Sequence, residues 1–341
     1  MKTKALFLIN AYSDYLNDFI SELHKQLEVR VLLLKKNNQN TDFRIKKNKK
    51  YIFLKNDNSF KRIRKFKPDV VIVGGLKHPF VKKLLKYKTE NKIKLYFWLE
   101  RIKNFFFLKH IFYRVIYRNI LINFNGIFAI GNEALEYYKK INKNTINLPY
   151  SINPNFFSIK RNITNKKLRI LFVGQLIERK GVCEIVGGIN GLPENIKKKI
   201  SFSFIGNGPL HSYLKKIKKK YNFINIKKFQ SRESLKFFFK NNDIFLFPSK
   251  YDGWGVAPME AMASGLPIII SSKCGFAEHI KNNFNGFVIN PNKKEITKKI
   301  TYLFNNMNKL QKISKHGVKL ISNTNLNSKN AAKVFLKEVL K

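Results

Sequence analysis

Residues 243–271 read DIFLFPSKYDGWGVAPMEAMASGLPIIIS. An apolar run, "DIFLFPS" (243–249), is followed by a loop holding Gly253 and Gly255. A short helical stretch comes next, where Pro258 suits the first turn and Gly265 the C-cap. It ends in a second apolar run, "LPIIIS" (266–271). Two short, nearly all-apolar strands joined by a helix predict one βαβ unit of a parallel sheet covered on both faces. The loop and helix also carry two carboxylates, Asp252 and Glu260, in a chain with only 21 Asp+Glu against 67 Lys+Arg.

The same alternation extends outward in both directions. The second half holds "LRILFVGQL" (168–176), "FSFIGNG" (202–208), "NIKKF" (225–229) and "GFVI" (286–289) as further strands. The first half holds "ALFLI" (5–9), "VRVLLL" (29–34), "YIFL" (51–54), "VVIVGG" (70–75), "LYFWL" (95–99), "GIFAI" (126–130) and "TINLP" (145–149). After the first of these, Leu16, Phe19, Ile20, Leu23 and Leu27 fall at helical spacing, with Ser13 or Asp14 as N-cap. The expected fold class is α/β, with two doubly wound Rossmann-like domains facing a central cleft. Their bounds are 1–150 and 168–326. The polar, Pro-containing stretch "SINPNFFSIKRNITNKK" (151–167) reads as a linker. In the tail, 327–341, Ala331, Val334, Phe335 and Val339 mark an amphipathic helix.

A length of 341 residues with 44% hydrophobic content supports two cores rather than a disordered chain. The net charge of +46 points to a polyanion partner, either nucleic acid or an anionic membrane. Lysine is spread through every segment together with Asn, Ile and Phe, whereas phosphate-reading patches favour arginine. Most of the excess therefore reads as compositional drift, with a residual bias toward negative surfaces. Cys183 and Cys274 have no metal-ligand spacing, and a reducing, cytoplasmic setting is expected. The run Ala5 to Ile9 is too short for a signal-peptide core, and no uncharged apolar stretch is long enough to span a bilayer.

Three loops in the second half fall where a strand's carboxyl end meets a helix, the edge at which open α/β sheets bind ligands. In "FVGQLIERKGV" (172–182), Gly174 permits a sharp turn, and Arg179 and Lys180 stand at a helix start, a combination that suits a diphosphate. In "IGNGP" (205–209), Gly206 and Gly208 permit a tight turn and equally well mark a simple connection. In the third, Asp252 on the loop and Glu260, placed in the first helical turn, can grip different hydroxyls of one ligand. The plainer alternative makes Asp252 a turn residue and Glu260 a complement to the helix dipole.

The carboxylate, seven residues, carboxylate spacing of "DGWGVAPME" followed by "AMASGLPII" resembles the signature of GT-B glycosyltransferases of family 4. "FVGQLIERKG", "IGNGP" and "FQSRESLKFFFKNNDIFLFPS" precede it in the family's order. In the first half the likeness is looser, through "KPDVVIVGG", "WLER", "IFAIGNEALEYY" and "LPYSINPNFF". The resemblance implies a retaining enzyme that uses a nucleotide-diphosphate-sugar donor. Glu260 would then hold the ribose and Asp252 the donor sugar, near the N–H groups of Trp254, Gly255 and Val256. Lys180 would neutralise the leaving diphosphate. Gln175 stands where the family often has Arg, and Asp252 where it usually has Glu. Phe229 and Gln230 would line the base pocket through backbone groups. No Asp-x-Asp motif occurs, and neither a metal nor another cofactor is expected.

The acceptor, a glycan or a lipid-linked glycan, is expected on the first domain, onto which the resemblance implies that the 327–341 helix packs back. "NAYSDY" (10–15) replaces the Gly-Gly loop of many relatives there. Glu100 of "WLER" ends a strand and is a candidate to orient or deprotonate the acceptor hydroxyl, or else to pair with a surface lysine. His78 is a weaker candidate of the same kind. In 101–121, Lys103, His110, Arg114 and Arg118 share one helical face, while Phe105, Leu108, Phe112 and Val115 share another. That pattern suits either an anionic membrane surface or a core-packed helix with a basic outer side. The leading expectation is a glycosyltransferase of surface polysaccharide or glycolipid synthesis, peripheral on the inner face of the membrane. A nucleotide-sugar epimerase of the same fold and a basic nucleic-acid-binding protein are the rivals. The second is disfavoured because no aromatic-basic RNA motif is present.

Overall fold

The computed structural model describes residues 2–33, 51–53, 59–76, 79–101, 107–159 and 167–341. The chain divides into two compact units, Met1–Ile152 with Ser328–Lys341, and Asn153–Asn327.

The first unit runs β1 (Lys4–Ile9), α1 (Asp14–Leu23), β2 (Glu28–Leu33), β3 (Tyr51–Phe53), α2 (Ser59–Phe66), β4 (Val70–Gly74), α3 (Val81–Asn91), β5 (Lys94–Glu100), α4 (Phe107–Asn123), β6 (Gly126–Ile130), α5 (Asn132–Lys139) and β7 (Thr145–Asn147). The second runs β8 (Leu168–Val173), α6 (Val182–Asn190), α7 (Glu194–Lys197), β9 (Ile200–Ile205), α8 (His211–Lys220), β10 (Ile224–Lys227), α9 (Arg232–Lys240), β11 (Ile244–Phe247), α10 (Val256–Ala263), β12 (Ile268–Ser271), β13 (Phe287–Ile289), α11 (Lys293–Asn305) and α12 (Leu310–Asn323). The last helix, α13 (Ser328–Val339), returns to the first unit.

The two sheets are ordered β3-β2-β1-β4-β5-β6-β7 and β10-β9-β8-β11-β12-β13, and the paired strands are parallel. Each winds outward in both directions from its first strand. The carboxyl ends of β1 and β4, and of β8 and β11, are therefore the two switch points.

Inner strands such as β4, β6 and β11 are buried on both faces and carry no polar alternation, whereas edge strand β10 exposes Asn225 and Lys227. In β1, Leu6 and Leu8 join the cluster of Val71, Val73, Leu95 and Phe97. Phe7, on the opposite face, meets Phe19 of α1 at 6.3 Å and Phe335 of α13 at 5.8 Å between ring centroids. Phe335 also lies 5.1 Å from Phe128. Helix α13 is anchored further by Asn144 Nδ2, which donates to Glu338 at 2.9 Å, and by Ser328 N–H, which donates to the Ile152 carbonyl at 2.8 Å. At the start of the second unit, Pro154–Phe157 forms a 3-10 turn with Phe157 buried.

Each strand expected from sequence is present, trimmed where the quoted run includes its loop. Helix α10 carries Pro258 in its first turn, as expected, but not Glu260. It begins at Val256 after Gly255, so Pro258 is its third residue and Glu260 its fifth. Glu260 therefore belongs to the second turn, and the dipole reading of this acid loses its basis. Proline is tolerated at the third position because the first four helical N–H groups have no partner inside the helix. Gly265 closes the helix as expected, with its N–H donating to Met262 O and that of Leu266 to Ala261 O.

Candidate donor site in the second unit

The loops after β8 and β11 flank the second switch point and are laced together by backbone contacts. Arg179 Nη1 donates to the Tyr251 carbonyl at 2.6 Å. The Arg179 carbonyl accepts from Lys250 N–H at 2.8 Å and from Ser249 Oγ at 3.1 Å. Gly181 has φ +76°, and a Cβ there would lie 2.1 Å from the Pro248 carbonyl oxygen. A Cβ at Gly206 would lie 1.9 Å from the Gly174 carbonyl oxygen. This close approach of two loops, rather than the turn alone, is what demands glycine.

Lys180 and Asp252 form an ion pair between these loops, with side chains 14% and 15% exposed. The Lys180 ammonium also lies 5.0 Å from the Phe247 ring centroid. Asp252 is held by its backbone: its N–H donates to Lys273 O, and its carbonyl accepts from Gly275 N–H, both at 3.1 Å. Beside it, α10 starts with Gly255 as N-cap, without a side-chain cap and without an acid in the first turn. Such a terminus presents N–H groups and partial positive charge to an anion.

Glu260 is buried, and Arg232 Nε of α9 lies 3.4 Å from its Oε1. Arg232 was not singled out by sequence reasoning. Its only signal is an arginine within "FQSRESL" in a chain dominated by lysine, and nothing in that spacing points to Glu260.

The remaining expected residues fall as follows. Trp254 is buried, and its indole donates to Met259 Sδ at 3.0 Å, so only its backbone is available to a ligand. Val256 is the first residue of α10. Gln175 is exposed, and its carbonyl accepts from Ile177 N–H at 3.0 Å. Phe229 N–H donates to Asn207 Oδ1 at 3.0 Å, and the residue is 55% exposed. The Gln230 amide donates to Lys228 O at 3.0 Å. Beneath the Asp252 loop, His279 packs 5.6 Å from the Trp254 ring. Burial pulls its imidazole down from 6.5 to about 4, although Glu278 Oε1 lies 3.4 Å away.

In the first unit, Glu100 ends β5 at the carboxyl edge and is exposed. Among the described residues, tyrosines stand beside it. Tyr138 Oη donates to the Glu100 carbonyl at 3.2 Å. The rings of Tyr15 and Tyr150 stand 4.5 Å apart, and the Tyr150 side chain hydrogen-bonds Glu100 and Tyr15. Burial pushes the Tyr150 phenol well above 10, helped by Tyr15 and Glu100, so it stays protonated at neutral pH. Arg101 pairs with Glu133 at 2.6 Å. His78, residues 102–106 and the side chains of His110, Phe112 and Arg114 lie outside the described residues. In α4, Val115, Ile116 and Ile122 are 67%, 46% and 49% exposed, while Leu121 is buried. Val115 therefore does not pack into the core. Among the described residues no helix is long and apolar enough to cross a membrane.

Residues 155–320 match the family model described as glycosyl transferases group 1. The chain is 33% identical over 153 residues to the amylovoran biosynthesis glycosyltransferase AmsK of Erwinia amylovora, covering 40% of this chain and 36% of that one. It is 33% identical over 110 residues to a UDP-Gal:alpha-D-GlcNAc-diphosphoundecaprenol alpha-1,3-galactosyltransferase of Escherichia coli, covering 30% and 26%. These and other curated relatives are matched over less than half of their own length. In three dimensions, Anabaena HepE, solved with UDP, superposes with a TM-score of 0.80 at 13% identity, covering 99% of this chain and 100% of that one. Residues 155–320 are thus similar to the glycosyl transferases group 1, and the chain has the GT-B fold of its structural neighbours.

Proposed function

We propose that this protein transfers a glycosyl group from a nucleoside-diphosphate sugar to a hydroxyl of a glycan or lipid-linked acceptor, in the synthesis of a surface polysaccharide or glycolipid. The observation that carries the reading is the Lys180–Asp252 pair at the switch point, beside the uncapped start of α10 and on the loop that leads to Glu260.

In this reading a donor diphosphate enters against the α10 N-terminus. Lys180 turns from Asp252 to the phosphates, and the freed carboxylate accepts from the sugar hydroxyls. Arg179, fixed by Tyr251, adds a second positive charge nearby. Glu260 accepts from the ribose. The C1–oxygen bond to the diphosphate breaks as Lys180 and the helix N–H groups take up the developing charge. The acceptor oxygen bonds to C1 from the same face and its proton passes to the departing diphosphate oxygen, so configuration is retained. Protein cations carry the leaving-group charge here, and turnover is expected to survive EDTA. In the first unit, Glu100 with Tyr150 and Tyr15 is the candidate set for an acceptor hydroxyl. The exposed Val115, Ile116 and Ile122, beside exposed Arg118, favour contact of α4 with an anionic membrane at the inner face.

The test is a thermal-shift screen of nucleotide sugars, followed by product analysis with and without a glycan acceptor. A stabilising donor should be turned over by the wild type and lose about 10-fold or more in Asp252→Asn and in Glu260→Gln. Wild-type turnover in either variant would refute the assignment. Isomerised donor in the absence of acceptor would convert it to an epimerase.

A further inference from the structure

Arg232 occupies an unusual position in the second unit. It opens α9, whose N-cap Ser231 accepts the Ser234 N–H at 3.2 Å. Its guanidinium lies over the rings of Phe156 and Phe157, 4.5 and 4.7 Å from their centroids. Its Nε reaches within 3.4 Å of Glu260 Oε1, and the two side chains are only 8% and 12% exposed. Lys236, one turn further along α9, covers Phe156 again at 3.7 Å. The guanidinium thus lies close to two aromatic rings while its Nε meets the carboxylate. A lysine at this position would offer a point charge in place of the planar fork.

We propose that Arg232 is a positioning residue that sets the Glu260 carboxylate for the donor ribose and ties it, through Phe156 and Phe157, to the turn on which the second unit begins. The proposal rests on the glycosyl-transfer reading above. Glu260 sits on a helix, where its side chain has several rotamers, and burial makes an unpartnered charge costly. A cation pinned by two aromatic rings removes most of that freedom. A carboxylate offers about four acceptor sites, so the contact with Arg232 leaves capacity for ribose hydroxyls. Arg232 then acts on the nucleotide without touching it, and the segment 154–157 becomes part of donor selection.

The experiment is calorimetric binding of UDP, ADP and GDP, each beside its 2′-deoxy form, to the full chain. Wild type should favour the ribose form of at least one pair by about tenfold or more. Glu260→Gln should abolish that ratio, which tests the site itself. Arg232→Met should also bring the ratio near one while affinity for the deoxy form is kept. Arg232→Lys should fail to restore the ratio, because charge without a plane cannot fix the carboxylate. A purely structural role predicts equal loss for ribose and deoxyribose forms. If Glu260→Gln loses discrimination and Arg232→Met keeps it, the role of Arg232 is overturned and the site reading stands. If Glu260→Gln keeps it, or wild type shows none, both fall. Should Arg232→Met not fold, Arg232→Gln and Arg232→Lys decide by the same ratio.

Discussion

The two units share one strand order and differ in what they place at the switch point. In the second, the loop after β8 presses backbone on backbone against the loop after β11 at Gly181 and against the loop after β9 at Gly206, and Lys180 and Asp252 meet between the loops after β8 and β11. In the first, the equivalent edge is built from side chains: Tyr15 after β1, Glu100 at the end of β5 and Tyr150 after β7. A doubly wound sheet supplies the edge in both cases, and loop chemistry decides what the edge can hold. Close backbone and concentrated charge suit phosphates. Hydroxyls around one carboxylate suit a sugar alcohol.

Exchanging the charges is the severest way to break this contrast. Lys180→Ala should cost about 100-fold or more in kcat, because a positive group facing the leaving group acts mainly in the transition state. Glu100→Gln should cost roughly tenfold and show mainly in the acceptor's kinetic terms. Equal effects on donor and acceptor parameters in both variants would erase the proposed division of labour.

Backbone approach can be probed separately. Gly206→Ala drives a methyl into a carbonyl and should destabilise the protein by about 3 kcal/mol or more. Gly75 in the first unit also has positive φ (132°), but its nearest obstacle is the Asn10 side-chain amide at 3.4 Å. Gly75→Ala should cost about 1–2 kcal/mol, the backbone term alone. Denaturant midpoints of the two variants test the difference.

Acid and alkali should act on different units. His279 is neutral in the folded chain down to about pH 4, whereas the unfolded chain takes up its proton near 6.5. Its contribution is complete above pH 6.5 and declines as pH falls toward 4, by up to about 3 kcal/mol. His279→Leu should flatten the stability profile in that window, and an unchanged slope would discount the buried imidazole. Tyr150 behaves in the opposite sense. Its raised phenol pKa gives stability that is complete below 10 and lost as pH rises further. Tyr150→Phe should therefore lessen alkaline sensitivity.

The smallest expected effect concerns α4. A double change of Val115→Ser and Ile122→Ser should weaken binding to vesicles containing phosphatidylglycerol several-fold and leave the fold intact. Unchanged sedimentation with vesicles would remove α4 from consideration as a membrane contact.

The strands were legible because four to seven apolar residues bounded by Gly, Pro and Asn leave few other readings. Lys180 and Asp252 were legible because each sits beside a glycine at a strand's carboxyl end. Glu260 falls in the second turn of α10 rather than the first because proline marks the first turn without marking its first residue. Arg232 with Glu260, and Tyr15 with Tyr150, were not legible. Each pair joins different βα units, and only the closed sheet brings its members together. The capture of the Phe229 N–H by Asn207 is equally beyond sequence, because it depends on a neighbouring loop.

The return of α13 to the first unit has a consequence for biosynthesis. Phe7, Phe19 and Phe128 leave the ribosome early, while Phe335, which completes their cluster, follows only after residues 153–327. The nascent first unit therefore carries an aromatic face without its final cover while the second unit is being made and is able to fold. The half of the protein synthesised first is the last to close.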